Sequence, residues 1–321
     1  MKKTALPTEV RLLFVLVPLM AALSLISSRF LTMDNLTNVI WSVCTIGILA
    51  SGAIYPRITG GIDLSLGSMA ALSGIIVDLL MNKVGLHWGI AILLTIFVGA
   101  LIGLFNGFLV AKIKLPAFVV TMSAKTYLYG VGLVVSQGAM LAILKPKAFI
   151  AIGTGRFLGI PMPIYIMFAL AIVSQLILKR TAFGRRVMAV GANEVAARLS
   201  GVNPDRIRLA AYTMSGITSA IGGIVLSSLT QQVFASAANG IELDVMTALV
   251  IGGTSPIGGR GSVVGGIIGA VLVAFIVNGL NLMNVPAPFH PIVTVSVIIV
   301  ALLLNEGSFK SRKGSLKAAS R

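Results

Sequence analysis

Long apolar runs that recur along the whole chain constrain its fold more than any other feature. A helix that crosses the hydrocarbon core of a bilayer needs about 20 mainly apolar residues. Lipid offers no hydrogen bonds, so a spanning segment must pair its own backbone groups within a helix or a closed barrel. The chain holds about ten such runs, separated by polar residues, Gly and Pro. They predict an all-α polytopic membrane helix bundle of about ten spans.

The predicted spans follow one another closely, and no gap between them is long enough for an independent folded domain. We therefore expect a single transmembrane domain over residues 1–321. Ten spans would form two five-helix halves of opposite orientation. The predicted spans are 12–27, 36–55, 64–81, 88–111, 117–136, 163–178, 209–229, 245–257, 263–283 and 292–305.

Charged residues are scarce and unevenly distributed. Only 11% of the 321 residues are charged, and 25 Lys and Arg stand against nine Asp and Glu. Nine acidic residues are too few to cover a soluble globule of this size, so the remaining surface must face the lipid bilayer. The basic residues lie mostly between the runs, as in cytoplasmic loops, and do not form one patch for nucleic acid. This pattern predicts that both termini, a loop at about 179–208 and a basic tail at 307–321 are cytoplasmic.

The chain offers little to a catalytic or metal site. Cys44 is the single cysteine, and the two histidines, His87 and His290, are far apart in sequence. These residues provide neither a disulfide nor a cluster of metal ligands. The sequence also lacks a glycine-rich phosphate loop with its Lys and its Ser or Thr. We therefore expect no catalytic residue, metal or cofactor on this chain.

Two glycine-rich segments, 60–68 and 252–262, interrupt the apolar runs. Unwound backbone at membrane depth is tolerated where it lines a pathway or an interface, although such a segment also forms ordinary cytoplasmic turns. Asp63 either caps the helix that follows it or contacts a solute. The polar residues of these segments are candidates for a pathway or gate through the membrane. They are Asp63 and Ser65 in the first segment and Thr254 and Ser255 in the second.

Four polar residues within the runs are further candidates. Lys125 lies near the middle of the fifth run, where an unpaired cation costs about 2.5–3.5 kcal/mol on insertion scales. It should therefore face the bundle or a water-filled cavity. Asn106, Asn278 and Asn281 offer amide groups to a polar solute. Amides in spans also form interhelical hydrogen bonds, and both interpretations stay open.

A few acidic residues lie elsewhere in the runs. Asp78, Glu242 and Asp244 fall near the outward ends of predicted spans. Water reaches such positions, so we expect these three carboxylates to be solvated and to need no special role.

One cytoplasmic segment has the end signals of a short helix. Asn193 is a preferred N-cap residue, Glu194 complements the positive helix end, and Gly201 suits the left-handed position past the C-terminus. Val195 and Leu199 share one face at a spacing of four residues. A short helix with so small an apolar face binds lipid only weakly. We therefore expect it to dock on a soluble protein partner.

Six motifs stand in one register along nearly the whole chain. They are Gly-Gly-Ile-Asp-Leu-Ser-Leu-Gly-Ser at 60–68, Lys-Leu-Pro-Ala-Phe at 114–118, Thr-Ala-Phe-Gly-Arg at 181–185, the loop at 191–201, Glu-Leu-Asp at 242–244, and Gly-Gly-Thr-Ser through Gly-Arg-Gly at 252–261. In order and spacing they resemble the permease subunits of bacterial ribose-type monosaccharide ABC transporters. Tyr55-Pro56-Arg57 and Lys125 depart from the family pattern, which has more apolar residues at the first place and an uncharged residue at the second.

This resemblance implies partners and a location in the bacterial cytoplasmic (inner) membrane. A second permease copy, in a homodimer or a heterodimer, would join this chain. Cytoplasmic ATP-binding subunits would carry ATP and Mg²⁺, and a periplasmic or other extracytoplasmic sugar-binding protein would deliver the solute. The segment at 192–201 would be a coupling helix that fits a groove on the ATP-binding subunit. The residues implied in coupling are Arg185, Gly191, Asn193, Glu194, Ala197, Arg198 and Gly201.

The expected function is therefore that of a permease subunit in an ATP-driven importer of a monosaccharide or related polyol. The main alternative is an ion-coupled secondary transporter of a small polar solute, which needs acidic groups at mid-membrane. Only Asp63, Asp78 and Asp244 could serve there, and all fall near span ends. A membrane enzyme acting on lipid would need a clustered catalytic site, and a structural scaffold would not need the helical cytoplasmic segment. Pentoses, hexoses, polyols such as inositol and nucleosides stay open as substrates.

Overall fold

The computed structural model describes residues 8–144 and 146–296 of the chain. Its regular structure is helical apart from four strands of two residues each. A short 3₁₀ turn at Ala287–Phe289 and helical backbone at 290–296 close the described part. The other elements, in chain order, are α1 (Thr8–Ile26), α2 (Met33–Ile58), α3 (Leu66–Asn82), α4 (Trp88–Ala111), α5 (Ala117–Ser136), β1 (Leu141–Ala142), α6 (Lys147–Thr154), β2 (Arg156–Phe157), β3 (Ile160–Pro161), α7 (Met162–Arg180), α8 (Ala182–Ala192), α9 (Glu194–Leu199), α10 (Pro204–Thr230), β4 (Gln232–Val233), α11 (Ile241–Ile251) and α12 (Val263–Leu282).

Within the described residues, six helices are long and apolar enough to cross a membrane, namely α2, α4, α5, α7, α10 and α12. The expectation of about ten spans in two five-helix halves is therefore wrong. The runs at 64–81 and 245–257 form α3 and α11, which have only 17 and 11 residues. The first run supplies a shorter apolar stretch of α1. Both chain ends, most of the run at 292–305 and the basic tail at 307–321 lie outside the described residues.

Polar and glycine-rich segments shorten these two helices. α11 stops at Ile251 because Gly252 and Gly253 follow it, and Gly253 adopts a left-handed φ of +87°. At 1.5 Å per residue, α11 covers only about 16 Å, roughly half of a hydrocarbon core. α3 begins only at Leu66, after a turn in which the Asp63 carboxylate accepts a hydrogen bond from the Ser65 N–H.

α10 lies at the centre of the bundle and packs against α2, α3 and α4. Gly99, Gly103 and Gly107 of α4 form a row that faces α10. A Cβ on Gly99 would stand 2.8 Å from the carbonyl oxygen of Gly216, and a Cβ on Gly103 would overlap that of Tyr212. The two backbones therefore meet with no side chain between them. Small residues at this spacing allow such close packing of neighbouring helices.

α12 is held to two neighbouring helices by different means. Gly265 and Gly269, at the same small-residue spacing, bring its backbone against the end of α11. On α2, Asn35 and Asn278 of α12 exchange two amide hydrogen bonds of 3.1 and 2.6 Å. Asn35 also donates to the Phe30 carbonyl at 2.8 Å. The amide pair therefore joins α12 to α2 by polar contacts.

Two small antiparallel sheets connect loops at one end of the bundle. β1 pairs with β4, and β2 pairs with β3 in a hairpin. β2 and β3 come just before α7 begins, and β4 comes just after α10 ends. The segment that links α7 to α10 leaves the end of α7 and enters the start of α10, so it lies at the other end of both helices. The loop at about 179–208 and the two sheets therefore occupy opposite ends of the bundle.

We predict that Gly216→Ala destabilises the bundle, because the added Cβ would overlap the backbone of α4 at Gly99 and Gly103. Overpacking of this kind costs about 1–3 kcal/mol. The measurement is thermal unfolding of the purified chain in mild detergent. Gly130→Ala on α5 is the matched control, since nothing lies within 4 Å of its added Cβ. Equal transition temperatures for the two variants would contradict the close contact.

Candidate coupling segment and membrane pathway

The segment that links α7 to α10 is built from two short helices with well-defined ends. Thr181 caps α8 by accepting a hydrogen bond from the Gly184 N–H at 3.2 Å. Asn193 ends α8 and also begins α9, where its side-chain oxygen accepts from the Ala196 N–H at 3.0 Å. Gly201 follows α9 with a left-handed φ of +80°. A single residue between two helices fixes a sharp corner, so α9 has a defined direction.

Charged side chains tie α9 to the start of α10. Glu194 accepts from the Arg208 guanidinium at 2.6 Å and from Arg198 at 3.3 Å. Hydrogen bonding from Arg208 holds the pKa of the Glu194 carboxyl below its usual range. The carboxylate is therefore ionised at neutral pH, and its pairing is lost only as the pH falls through that lowered pKa. Asp205 pairs in turn with Lys114, which precedes α5, and lies 3.8 Å from Arg198.

The outward face of α9 is apolar and exposed. Val195 is 68% exposed and Leu199 is 85% exposed, whereas Ala197 is buried against the rest of the chain. Arg185 is also exposed, one helix earlier on α8. Two large apolar side chains at one exposed tip, held by the ion pairs beneath them, form a surface suited to a protein partner.

Gly191 connects this segment to the membrane-spanning part of the chain. It lies so close to the carbonyl of Ile58, at the end of α2, that a Cβ would overlap it. The same carbonyl accepts a hydrogen bond from the Gly259 N–H at 2.8 Å. Gly258 fits against Ile58 and Gly60 with a φ of +102°. Three backbone segments, the ends of α2 and α8 and the glycine-rich loop at 252–262, therefore meet in direct contact at this point, which we call the glycine junction.

Next to the glycine junction, Asp63 is the centre of a buried polar network. Its carboxylate accepts from the Ser65 N–H at 3.0 Å, the Ser65 hydroxyl at 2.6 Å and the Ser215 hydroxyl at 2.7 Å. Asn106 donates to the Ser65 hydroxyl at 3.2 Å. The structure thus brings Asp63, Ser65 and Asn106 together across α3, α4 and α10. All the hydrogen bonds that the carboxylate accepts hold the turn before α3 in place.

The remaining polar candidates of the glycine-rich segments, and Arg57 of α2, are not hydrogen-bonded to this network. Thr254 is 1% exposed, and its hydroxyl has no hydrogen-bond partner among the described residues. Ser255 closes the loop, where its N–H donates to the Arg260 carbonyl at 2.9 Å. Arg57 is 8% exposed near the end of α2, and its Nε lacks a partner in the described part of the chain.

Lys125 forms an ion pair inside the bundle. Its ammonium lies 2.5 Å from Glu242 of α11, whose side chain is 2% exposed. The second oxygen of Glu242 accepts from the Gly240 N–H at 3.2 Å. The expectation that Glu242 and Asp78 are solvated at span ends is wrong, since both are buried and Asp78 binds the Asn82 amide at 2.5 Å. Sequence reasoning placed Lys125 facing the bundle but missed its partner, 117 residues away.

The remaining asparagine candidates do not share a site. Asn278 is occupied by its pairing with Asn35, and Asn281 is exposed on α12. Polar residues that sequence reasoning missed line a cavity of about 490 Å³ at the far end of the bundle from α9. The signal was present in α2, where Asn38, Trp41, Ser42 and Thr45 recur at the spacing of one helix face.

The described residues form no candidate metal site. Among the residues that the structure describes, no group of three or more His, Cys, Asp and Glu side chains is placed to hold a metal ion. His87 instead caps α4 by accepting from the Gly89 N–H at 3.2 Å. Cys44 is buried within α2.

Residues 35–302 match the sequence profile of a family described as branched-chain amino acid transport system / permease component. The chain belongs to this family. The permease is 36% identical over 298 residues to the ribose import permease protein of Haemophilus influenzae, with 92% of each chain covered. It is 36% identical to the Bacillus subtilis protein of that name, with 91% of this chain and 90% of the relative covered. It is 31% identical to the xylose transport system permease protein of Escherichia coli, with coverages of 87% and 86%.

No solved structure matches the permease. Family membership and the six apolar helices together identify a multi-pass membrane protein of the transport class. The family is one of transport components, and the resemblance noted in the sequence is confirmed. The comparisons give no support to an ion-coupled transporter.

We predict that Lys125→Met lowers the stability of the permease by about 3–5 kcal/mol, because it leaves the buried Glu242 carboxylate without a cation to pair with. Lys125→Met combined with Glu242→Gln should recover most of this loss. The measurement is thermal unfolding in detergent. Lys83→Met, an exposed lysine at the end of α3, is the control. A double variant no more stable than Lys125→Met would contradict a paired role.

Proposed function

We propose that the permease is the membrane-spanning subunit of an ATP-driven importer for a monosaccharide or related polyol. The observation that carries this proposal is the exposed apolar surface of Val195 and Leu199 on α9, which the ion pair of Glu194 and Arg208 holds in place. Such a surface is suited to docking on a soluble subunit. Relatives over most of the chain, named for ribose and xylose transport, support the class of solute. The chain itself acts as one transmembrane domain with a cytoplasmic coupling loop at about 179–208.

The proposed assembly has three kinds of component. Two permease copies, identical or homologous, enclose the pathway, and a cytoplasmic ATP-binding subunit docks on each. Those subunits bind ATP and Mg²⁺, so the permease hydrolyses nothing. An extracytoplasmic sugar-binding protein delivers the solute to the opposite face.

Coupling follows from the contacts of the α8 and α9 segment. Closure of the ATP-binding subunits displaces α9, and the Glu194 and Arg208 ion pair passes this displacement to α10. The glycine junction passes it from Gly191 to the end of α2 and to the loop at 252–262. The residues proposed to couple are Arg185, Gly191, Asn193, Glu194, Ala197, Arg198 and Gly201. Those proposed for the pathway or gate beside them are Asp63, Ser65, Asn106, Lys125, Thr254 and Ser255, with Asn278 and Asn281 further out.

The decisive experiment is purification of the tagged permease from its native host in mild detergent, followed by reconstitution into liposomes. We expect an ATP-hydrolysing subunit to co-purify, and we expect D-ribose or another monosaccharide to enter only with ATP and the sugar-binding protein present. Solute uptake by the permease alone, driven by a sodium or proton gradient, would overturn the proposal.

We predict that Leu199→Asp reduces co-purification of the ATP-binding subunit about tenfold or more without unfolding the permease. Leu199 is 85% exposed, so its replacement costs the free permease little, while an apolar contact at the centre of an interface contributes about 1.4 kcal/mol or more. The matched control is Leu158→Asp, at a leucine that is 83% exposed in the hairpin at the opposite end. Glu194→Arg should act like Leu199→Asp because it repels Arg208. Normal co-purification of both α9 variants would refute the docking role.

A further inference from the structure

The cavity at the far end of the bundle from α9 has the position of a vestibule. Leu226 and Leu229, near the end of α10, form part of its wall. Leu229 stands 25 residues after Pro204, the first residue of α10, which corresponds to about 38 Å along a helix. A bilayer core is about 30 Å thick. The cavity therefore opens toward the membrane face that lies opposite the coupling segment.

One face of α2 gives the cavity its polar lining. Asn38, Trp41, Ser42 and Thr45 follow each other at intervals of three, one and three residues, and Thr45 at the base is only 4% exposed. The segment before α11 faces them with Asn239. Within the described part of the chain, the side chains of Asn38, Trp41 and Asn239 make no hydrogen bond to the protein. Two amides and an indole N–H are therefore available to a ligand.

The charge of the lining restricts the chemistry of that ligand. Asp244 and His290 are the ionisable side chains among the described residues that line the cavity, and none is Lys or Arg. A phosphorylated or carboxylated solute would find no Lys or Arg to pair with, and it would meet the carboxyl group of Asp244. Amides, hydroxyls and one aromatic face are instead the groups that recognise the hydroxyls and the apolar C–H face of a sugar. The volume of about 490 Å³ lies within the range of about 300–1,000 Å³ common to small-molecule sites.

We propose that this cavity is a binding site for a neutral polyhydroxylated solute, which it receives before the solute passes into the pathway. The inference rests on the proposed import function and adds the site, the ligand class and the residues. Trp41 provides the stacking surface, and Asn38 and Asn239 donate hydrogen bonds to hydroxyl oxygens.

The sequence supplies an optical probe for this site. The permease has two tryptophans, and Trp88 lies at the start of α4 against His87, outside the cavity. Trp88→Phe therefore leaves Trp41 as the only indole. The experiment uses the full-length Trp88→Phe permease in lipid nanodiscs and titrates D-ribose, D-xylose or myo-inositol while the fluorescence of Trp41 is recorded. Sodium chloride of equal osmolality is the control solute.

We expect a saturable fluorescence change with at least one of the three solutes and none with sodium chloride. The apparent Kd should be on the order of 1 mM, because a pathway site must release what it binds. Asn38→Ala and Asn239→Ala should each raise this Kd about three- to tenfold, in keeping with the loss of one hydrogen bond. Thr37→Ala is the matched control, since Thr37 neighbours Asn38 on α2 but bonds to the Met33 carbonyl and lies outside the cavity.

Three outcomes would overturn the inference. The first is the absence of a saturable change with every one of the three solutes, in a sample whose helical circular dichroism and elution volume are normal. The second is an equal response to sodium chloride, which would indicate an ion site at Asp244. The third is strong quenching of Trp41 by brominated phospholipid, which would indicate a cavity filled by acyl chains.

Failure of this inference is distinguishable from failure of the proposed function. Suppose that the Asn38→Ala and Asn239→Ala permeases, once reconstituted, import the solute with ATP at the wild-type rate and that Trp41 gives no response. The proposed import function would then be supported, and the binding site in the cavity would be refuted. If the wild-type permease does not import any of the solutes with ATP and the sugar-binding protein, the reconstitution experiment refutes the proposed function itself.

Discussion

Backbone groups in a membrane must be paired within the protein, and this requirement determines where the permease is able to pack closely. Helices satisfy their own N–H and C=O groups, so neighbouring helices attract each other through contact and not through exclusion of water. Glycine permits the shortest contact, because one backbone then lies directly on another. Such contacts join α4 to α10, α11 to α12, and the end of α2 to α8. They position α4, which carries Asn106, and α10, which carries Ser215, as well as the junction beside Gly191.

The same requirement explains why polar residues of the membrane interior come in groups. Asp63 draws in two serines, and Lys125 is matched by Glu242. Asn35 and Asn278 satisfy each other. Against this background, the available amides of Asn38 and Asn239 stand out, because they line an open cavity. These polar groups thus divide into those that hold helices together and those that face open space, whereas the buried Thr254 hydroxyl and Arg57 Nε lack a partner in the described part of the chain.

Local features of the sequence were predictable, and distant pairings were not. Asn193 and Gly201 mark the ends of α9 because capping depends on neighbours within a few residues. The burial and pairing of Glu242 depend on a lysine on another helix, which no local pattern reveals. The number of spans was wrong because hydrophobicity marks a run of residues, whereas Gly252 and Gly253 decide where the helix within it stops.

The glycine contact between α4 and α10 has a geometric consequence. Gly216 lies 12 residues from Pro204 and 14 residues from Thr230, the two ends of α10. If α10 pivoted as a rigid helix about Gly216, its two arms would be about 18 and 21 Å long. A tilt of about 5° would move the coupling end by about 1.6 Å and the cavity end by about 1.8 Å in the opposite direction. The opening of the bundle at one membrane face would then narrow while the opening at the other face widens. One tilting helix would be enough to keep the two openings from widening at the same time.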